Sequence, residues 1–325
     1  MKQQAGKILV TGSIAYDHVM RYDKPFSNVL LPDMLKNLSV TFTTSSQSVH
    51  YGGTGANIAY TLKLFGVEPM LIGVAGRDFA RYEKWLARNK IDTSGILINE
   101  DFFTASAYIL TDLEGRQITI FQIGAMGSAP QAFSLRAINV ANGSSSGNSV
   151  VYAIIAPDDP RRMIGFAREC RRKKIPYIFD PAQQIDNLAV ADLKEAISGA
   201  EILVVNEYEA ELLCKKMGIF LRELAGTSRN YIETMSEKGC SGFVGRREFK
   251  VAAVAPKKLV DPTGCGDAFR AGVLVGIVFG FSLEKACRAG VLAATYNLEN
   301  AGTQAHHFTM AEFKLRFERS FGEKF

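Results

Sequence analysis

Asp261-Pro262-Thr263-Gly264-Cys265-Gly266-Asp267-Ala268-Phe269-Arg270-Ala271-Gly272 runs from a turn with two closely spaced glycines straight into the apolar stretch 273–281. Read as a helix, that stretch places Gly264, Cys265, Gly266 and Asp267 at its first turn. The unpaired N–H groups of a helix start and the positive end of its dipole then point outward together, which makes an anion site. Glycine lets the backbone approach a ligand closely. One carboxylate, Asp267, stands at the mouth. That is unfavourable for mere phosphate storage and useful when phosphate passes to a hydroxyl that the carboxylate holds. A simple helix cap is the plainer reading, but glycine is more typical of helix C-terminal ends than of N-caps.

Upstream the chain alternates. Residues 7–12 (Lys-Ile-Leu-Val-Thr-Gly) form an apolar run ending in glycine, the pattern of a buried parallel strand. The pattern predicts helix over 56–65, strand over 70–74, helix over 81–89, strand over 150–155 and helix over 161–173. Strands over 176–179 and 202–205 and a helix over 207–217 follow. Such alternation argues for a mostly parallel sheet with helices on both faces, the α/β class. Two pieces interrupt it. The stretch 17–50 is less regular and includes a β-prone run over 39–50, and 104–111 pairs with 116–123 across the turn Asp112-Leu113-Glu114-Gly115. Both are expected to build a small lid sheet on a single domain covering 1–325. The run 141–148 reads as a surface loop. The apolar run 271–283 reads as one buried core helix, too short to span a bilayer.

The 325 residues are 47% hydrophobic and 22% charged with a net charge of +5, a globular composition. The densest basic run, 168–174, has no interleaved aromatics and reads as a solvated helix end, not a nucleic-acid surface. The five cysteines are an odd number without a Cys-x-x-Cys pair, which fits neither a disulfide framework nor a zinc knuckle. With the polar start at 1–7, this gives the expectation of a reducing cytoplasm and no membrane association. The four histidines show no ligand spacing.

Ligands in open α/β sheets gather at the C-terminal ends of strands. Asp17, Gly52-Gly53-Thr54-Gly55-Ala56-Asn57, Asp180, Asn206 with Glu209, and Asp267 all fall at such ends or at the helix starts that follow. Singly each has a plain meaning: a turn for Asp17 and for Gly52-Gly53, a capping box for Asn206 and Glu209. There is no Gly-x-x-x-x-Gly-Lys-Ser/Thr, so this is not a P-loop enzyme. No Gly-x-Gly-x-x-Gly follows the first strand, which argues against a dinucleotide-dependent oxidoreductase.

In this order the motifs resemble those of the PfkB (ribokinase-like) sugar and nucleoside kinases over nearly the whole chain. The resemblance implies a ribokinase-like three-layer α/β/α fold with a mostly parallel central sheet and a small β-sheet lid. It implies ATP and Mg²⁺ as cofactors, with a monovalent cation such as K⁺ as an optional addition. Asp17, Gly52, Gly53 and Asn57 map to residues that grip sugar hydroxyls. Carboxylate and carboxamide suit a diol, which needs both acceptors and donors. Asn206 and Glu209 map to a Mg²⁺ site, Glu209 acting largely through water. Asp180, Thr234, Ser236 and Gly239 map to the nucleotide side, with Ser236 replacing the middle glycine of a Thr-x-Gly-x-x-Gly turn. Gly264, Cys265 and Gly266 map to the phosphate cradle and Asp267 to the base, a weak one, since a helix start lowers a carboxyl pKa. Cys265 stands where relatives often carry Ala. A helix N-terminus can make a thiol acidic and oxidation-sensitive; a small residue in a tight turn is the plainer reading.

The resemblance is nearest to bacterial adenosine-kinase-like members, through 12–17, 52–60 and 261–267. It implies transfer to the 5′-hydroxyl of a nucleoside, adenosine first. Phe42, Phe102, Phe103, Tyr108 and Phe121 are available either to stack on a purine or to pack the lid. The alternatives are a kinase for ribose or a fructose-like sugar, and a nucleotide-binding regulator without turnover. The expected partner is a small molecule, taken by a monomer or homodimer, with no nucleic acid.

Overall fold

Alternate residues along each central strand pack on opposite sides, and this sorts the helices into two layers. In the computed structural model, which describes residues 6–31, 39–128, 149–245 and 247–325, the first half of the chain runs β1 (Lys7–Thr11), β2 (Ala15–Arg21), β3 (Ser46–Gly52), α1 (Thr54–Leu64), β4 (Pro69–Gly76), α2 (Ala80–Arg88), β5 (Ile96–Asn99), β6 (Ala105–Thr111) and β7 (Gln117–Gln122). It continues through β8 (Val150–Ile155), α3 (Pro160–Lys173), β9 (Tyr177–Phe179), α4 (Val190–Gly199), β10 (Ile202–Asn206), α5 (Glu207–Met217), α6 (Leu221–Leu224) and β11 (Asn230–Thr234). It ends with β12 (Cys240–Val244), β13 (Arg247–Val251), α7 (Cys265–Val278), α8 (Leu283–Leu298) and α9 (Met310–Phe321).

Among the described residues the large sheet has nine strands in the order β13-β12-β11-β10-β9-β8-β1-β4-β5. It is parallel from β11 to β5 and antiparallel at the β11–β12–β13 edge. Ile8, Val10, Ile154, Ile178, Val204 and Ile232 pack with α1, α2, α7, α8 and α9. Their neighbours Leu9, Ile155, Phe179, Leu203, Val205 and Tyr231 pack with α3 to α6. The period of two thus produces the three-layer α/β/α arrangement expected from the sequence.

The second sheet has the order β3-β2-β6-β7. Its β6–β7 hairpin closes at the predicted turn, where Asp112 Oδ1 accepts from the N–H groups of Glu114 (2.9 Å) and Arg116 (2.8 Å) and Gly115 takes φ 81°. The β-prone run 39–50 becomes a strand only from Ser46, and β2 arises where the sequence reads as irregular. The run 271–283 is not one helix. Gly280 takes φ 78°, and the Ser282 hydroxyl accepts from the Lys285 N–H to open α8. Within the basic run, Arg168 pairs with Asp192 (3.0 Å) and Glu195 (2.8 Å) of α4, as a charged helix end does. The expected loop at 141–148 lies outside the described residues. No helix among the described residues is long and apolar enough to cross a membrane.

α7 is set by its contact with α8. A Cβ on Gly272 would come within 2.6 Å of the Ala289 carbonyl and 2.7 Å of Gly290 Cα. The helices therefore meet backbone to backbone. Gly272→Ala must push them apart, and overpacking of this kind costs about 1–3 kcal/mol. Urea unfolding should show a lowered midpoint at unchanged slope; a midpoint equal to wild type would contradict the packing described.

Candidate active site

The turn before α7 places Gly264 at φ 81°, a left-handed backbone that glycine adopts at little cost. No side chain caps the helix start, which leaves first-turn N–H groups to face outward. The Cys265 N–H is the exception and turns back to the Pro262 carbonyl (3.2 Å). The turn is braced from α8 and the segment beyond it. Asn297 Nδ2 donates to the Thr263 carbonyl (2.7 Å), and Asp261 accepts from the N–H groups of Thr263 and Gly302, both at 2.9 Å.

Asp267 is buried one step inside. Asn57 Nδ2, on the first turn of α1, donates to its Oδ2 at 2.8 Å. The other end of that carboxamide accepts from Gln304 Nε2 (2.9 Å), and Gln304 Oε1 accepts from Trp85 Nε1 (3.0 Å). Tyr82 Oη donates to the Gly52 carbonyl (2.7 Å), which pins the end of β3. The Asp17 carboxylate lies so close to Gly52 that a Cβ there would overlap it. Gly53, at φ 90°, is pressed against the Ser13–Ala15 backbone. Asp17, Gly52, Gly53, Asn57 and Asp267, drawn from β2, β3, α1 and α7, therefore form one cluster.

Burial raises the acids of this cluster. Asp267 is pushed up to about 6 by desolvation, against the pull of Arg270 and the Asn57 bond. This corrects the expectation of a lowered value: the helix start favours the anion, but enclosure outweighs it. Asp17 is pushed up to about 7 by burial, with the charges of Asp267 and Asp261 adding to it. Cys265 runs against the acidic-thiol alternative. Desolvation pushes its thiol up to about 11, its Sγ approaches the Ala294 carbonyl and Asn297 Nδ2 at 3.5 Å each, and it serves as a small residue filling a tight turn.

The residues assigned to the nucleotide form a second group. Asn206 and Glu209 open α5 as a reciprocal capping box, Asn206 Oδ1 accepting from the Glu209 N–H and Glu209 Oε2 from the Asn206 N–H, both at 2.8 Å. Thr234 is the register partner of Asn206 on β11. The turn beyond holds Ser236 at φ 48° and Gly239 at φ 96°, where a Cβ would strike the Val251–Ala253 backbone. Asp180 stands apart from the others. It is enclosed, pushed up to about 7 by burial, and gripped by Arg270, whose Nη2 donates to Oδ1 at 2.8 Å. Among the described residues no group of three or more His, Cys, Asp or Glu side chains is placed to hold a metal by itself.

The five aromatics separate. Phe42 packs edge-on against Tyr22 and Phe26, within the small sheet's own core. Phe103 lies under the Arg77 guanidinium (4.0 Å), and Tyr108 stacks on His18 (4.7 Å). Phe102 stays exposed in the loop before β6. Phe121 is in register with Ala107 and, through it, with Asp17, so it shares Asp17's face of the sheet and is partly exposed. Sequence reading missed Gln304, Trp85, Tyr82, Asn297 and Arg270. Only Arg270 carried a signal, a lone charge in the apolar run after the motif.

A family model described as pfkB family carbohydrate kinase matches residues 5–309. The chain is 27% identical over 318 residues to a nucleoside kinase of Methanocaldococcus jannaschii, covering 96% of this chain and 97% of that one. It is 26% identical over 305 residues to the ribokinase of Bacillus subtilis, covering 91% and 94%. Its fold matches the structure of a Burkholderia thailandensis nucleoside kinase in complex with inosine, with a TM-score of 0.86 and 32% identity over 98% of this chain and 99% of that one.

The raised acids have a testable consequence for stability. Asp17 has a folded value near 7 against 3.8 when unfolded, so the native state holds the extra proton. The linked stability is present below pH 4 and is lost as pH rises through 7, by at most about 4 kcal/mol. Asp17→Asn, nearly isosteric and uncharged, should raise Tm at pH 8 and much less at pH 5. A gain that does not grow with pH would refute the buried charge.

Proposed function

Because the chain belongs to the pfkB family of carbohydrate kinases, we propose that it transfers the γ-phosphoryl group of ATP to the 5′-hydroxyl of a nucleoside, adenosine first among them. The observation that carries this reading is the Asn57–Asp267 hydrogen bond, which joins a hydroxyl-binding carboxamide to a base at the mouth of an anion site. The nucleoside kinases among the relatives support a nucleoside acceptor, and Phe121 offers a base-stacking ring on the face that carries Asp17.

In this reading Asp17 and Asn57 hold the ribose diol, and Gly52 and Gly53 admit the sugar against the backbone. The acceptor oxygen attacks the γ-phosphorus, the bond from that phosphorus to the bridging oxygen of ADP breaks, and the hydroxyl proton passes to the Asp267 carboxylate. In a loose transition state the proton leaves late, so positioning outweighs basicity. The raised value of Asp267, about 6, still makes it a better base than a free carboxylate while leaving it largely ionised at neutral pH. The Gly264 and Gly266 amides stabilise charge on the transferred group. Thr234, Ser236 and Gly239 border the nucleotide, and Cys265 only fills the turn.

Mg²⁺ arriving with ATP supplies neutralisation of phosphate charge. Asn206 and Glu209 suit it: one half-buried carboxylate and one exposed carboxamide at a helix start fit a cation that keeps its waters and binds mainly through phosphates. An all-protein cage would require more acids.

ADP release with ATP and Mg²⁺ across adenosine, inosine, cytidine, ribose and fructose tests the acceptor. Adenosine should give the highest kcat/KM; a higher value for ribose or fructose would replace the nucleoside by a free sugar. Asp267→Asn should fold with a Tm no lower than wild type while kcat falls by a factor of about 10²–10⁴. In the unmodified protein kcat/KM should decline as pH drops through about 6, where Asp267 of the free enzyme takes up a proton. Near-normal turnover by a folded Asp267→Asn protein would refute its role.

A further inference from the structure

Arg270 is the one basic residue of α7, whose only other charged residue is Asp267, and it is only 7% exposed. Its side chain folds back toward the helix start, the direction helical side chains favour. Nη2 donates to Asp180 Oδ1 (2.8 Å), and Nε stands in ion-pair contact with Oδ2 without the geometry of a hydrogen bond. Nη1 is left over: no described residue accepts from it, and it stands over Gly266, where a Cβ would come within 2.6 Å. Asp180, Asp267 and Glu209 all act on this guanidinium electrostatically. Without it, three carboxylates would face an incoming polyphosphate.

A buried ion pair is a poor device for stability, because desolvating two charges offsets most of their attraction. Apolar side chains would fill the same space as well. What they could not supply is a fixed N–H donor over the glycine of an anion site. Held on one edge by a carboxylate, a guanidinium presents its other edge to an oxyanion.

We propose that Arg270 is a further catalytic residue, its Nη1 binding the phosphoryl group under transfer, and that Asp180 is the positioning residue that aims it. This rests on the kinase reading above. The Arg270 charge also takes the place of the phosphate-binding lysine of P-loop enzymes, which this chain lacks.

The decisive protein is the double variant Arg270→Met/Asp180→Leu, which removes both buried charges together. A purely structural pair predicts that it recovers Tm and turnover alike. The proposal predicts a Tm near wild type, a kcat lower by at least about 10²-fold, and an adenosine KM within about threefold, as for loss of an oxyanion donor. It also predicts that affinity for the β,γ-imido analogue of ATP falls by at least about tenfold while affinity for ADP changes little, since only the former carries the third phosphate. Wild-type kcat in the double variant, or equal losses for the two nucleotides, would overturn it. Arg270→Lys keeps one charge opposite Asp180 and gives up the second edge. It should lose about tenfold or more in kcat at unchanged Tm, and wild-type turnover by this folded variant would also overturn the proposal. A wild-type chain that phosphorylates no acceptor would defeat the kinase reading, and the two nucleotide affinities would still decide the role of Arg270.

Discussion

The hydrogen bond from Asn57 Nδ2 to Asp267 Oδ2 joins the starts of two helices whose residues stand 210 positions apart. It forms only if α1 and α7 both begin at the same edge of the large sheet, pointing their N-termini at one volume. Everything that fixes those two starts therefore serves it. Gly53 and the Gly52 carbonyl, held by Tyr82, set the entry to α1; Asn297 and Asp261 set the turn before α7. Gln304 orients the carboxamide so that its nitrogen, not its oxygen, meets the carboxylate. An Asn pointing the other way would set oxygen against oxygen.

This convergence works against stability. Asp17, Asp180 and Asp267 are all enclosed and all raised by burial, with one guanidinium among them. Each holds its proton more tightly than a free carboxylate does, which is the usual condition of a site tuned for chemistry. The compensation comes from the large sheet, whose strands are packed on both faces, and from the close α7–α8 contact. Strain and charge are concentrated at one edge, and packing is concentrated everywhere else.

The α/β class and the strand-end acids were legible in the sequence because both depend on local pattern. The apolar runs 8–11, 177–179 and 202–205 lead directly into Gly12, Asp180 and Asn206. Other features were not legible, for reasons that differ. β2 mixes Asp17 and His18 with apolar residues because its root is buried and its far end exposed, so no single period appears. The break between α7 and α8 was hidden because Gly280 sits in a run that is apolar on either side. Asp267 departs from its expected acidity because enclosure is a property of the whole fold, and a helix-start rule counts only local dipoles. The Arg270–Asp180 pair spans 90 positions, and no spacing announces it.

Among the described residues the small sheet is fastened to the large one at one end. Ala15, Ala105 and Met126 form its root, and the end of β3 is held by Tyr82. At the opposite end Tyr22, Phe26 and Leu110 make a miniature core that packs on itself. A plate attached along one edge behaves as a hinged flap: displacement is small beside the axis and grows with distance from it. The row containing Asp17 and Phe121 lies two residues from the root, close to the axis. The row at Arg21 and Thr111 forms the outer rim. If the sheet tilts about its root, the row of Asp17 and Phe121 would move least and the outer rim most, so in the proposed reading the groups that meet the acceptor would keep their places while the rim is displaced.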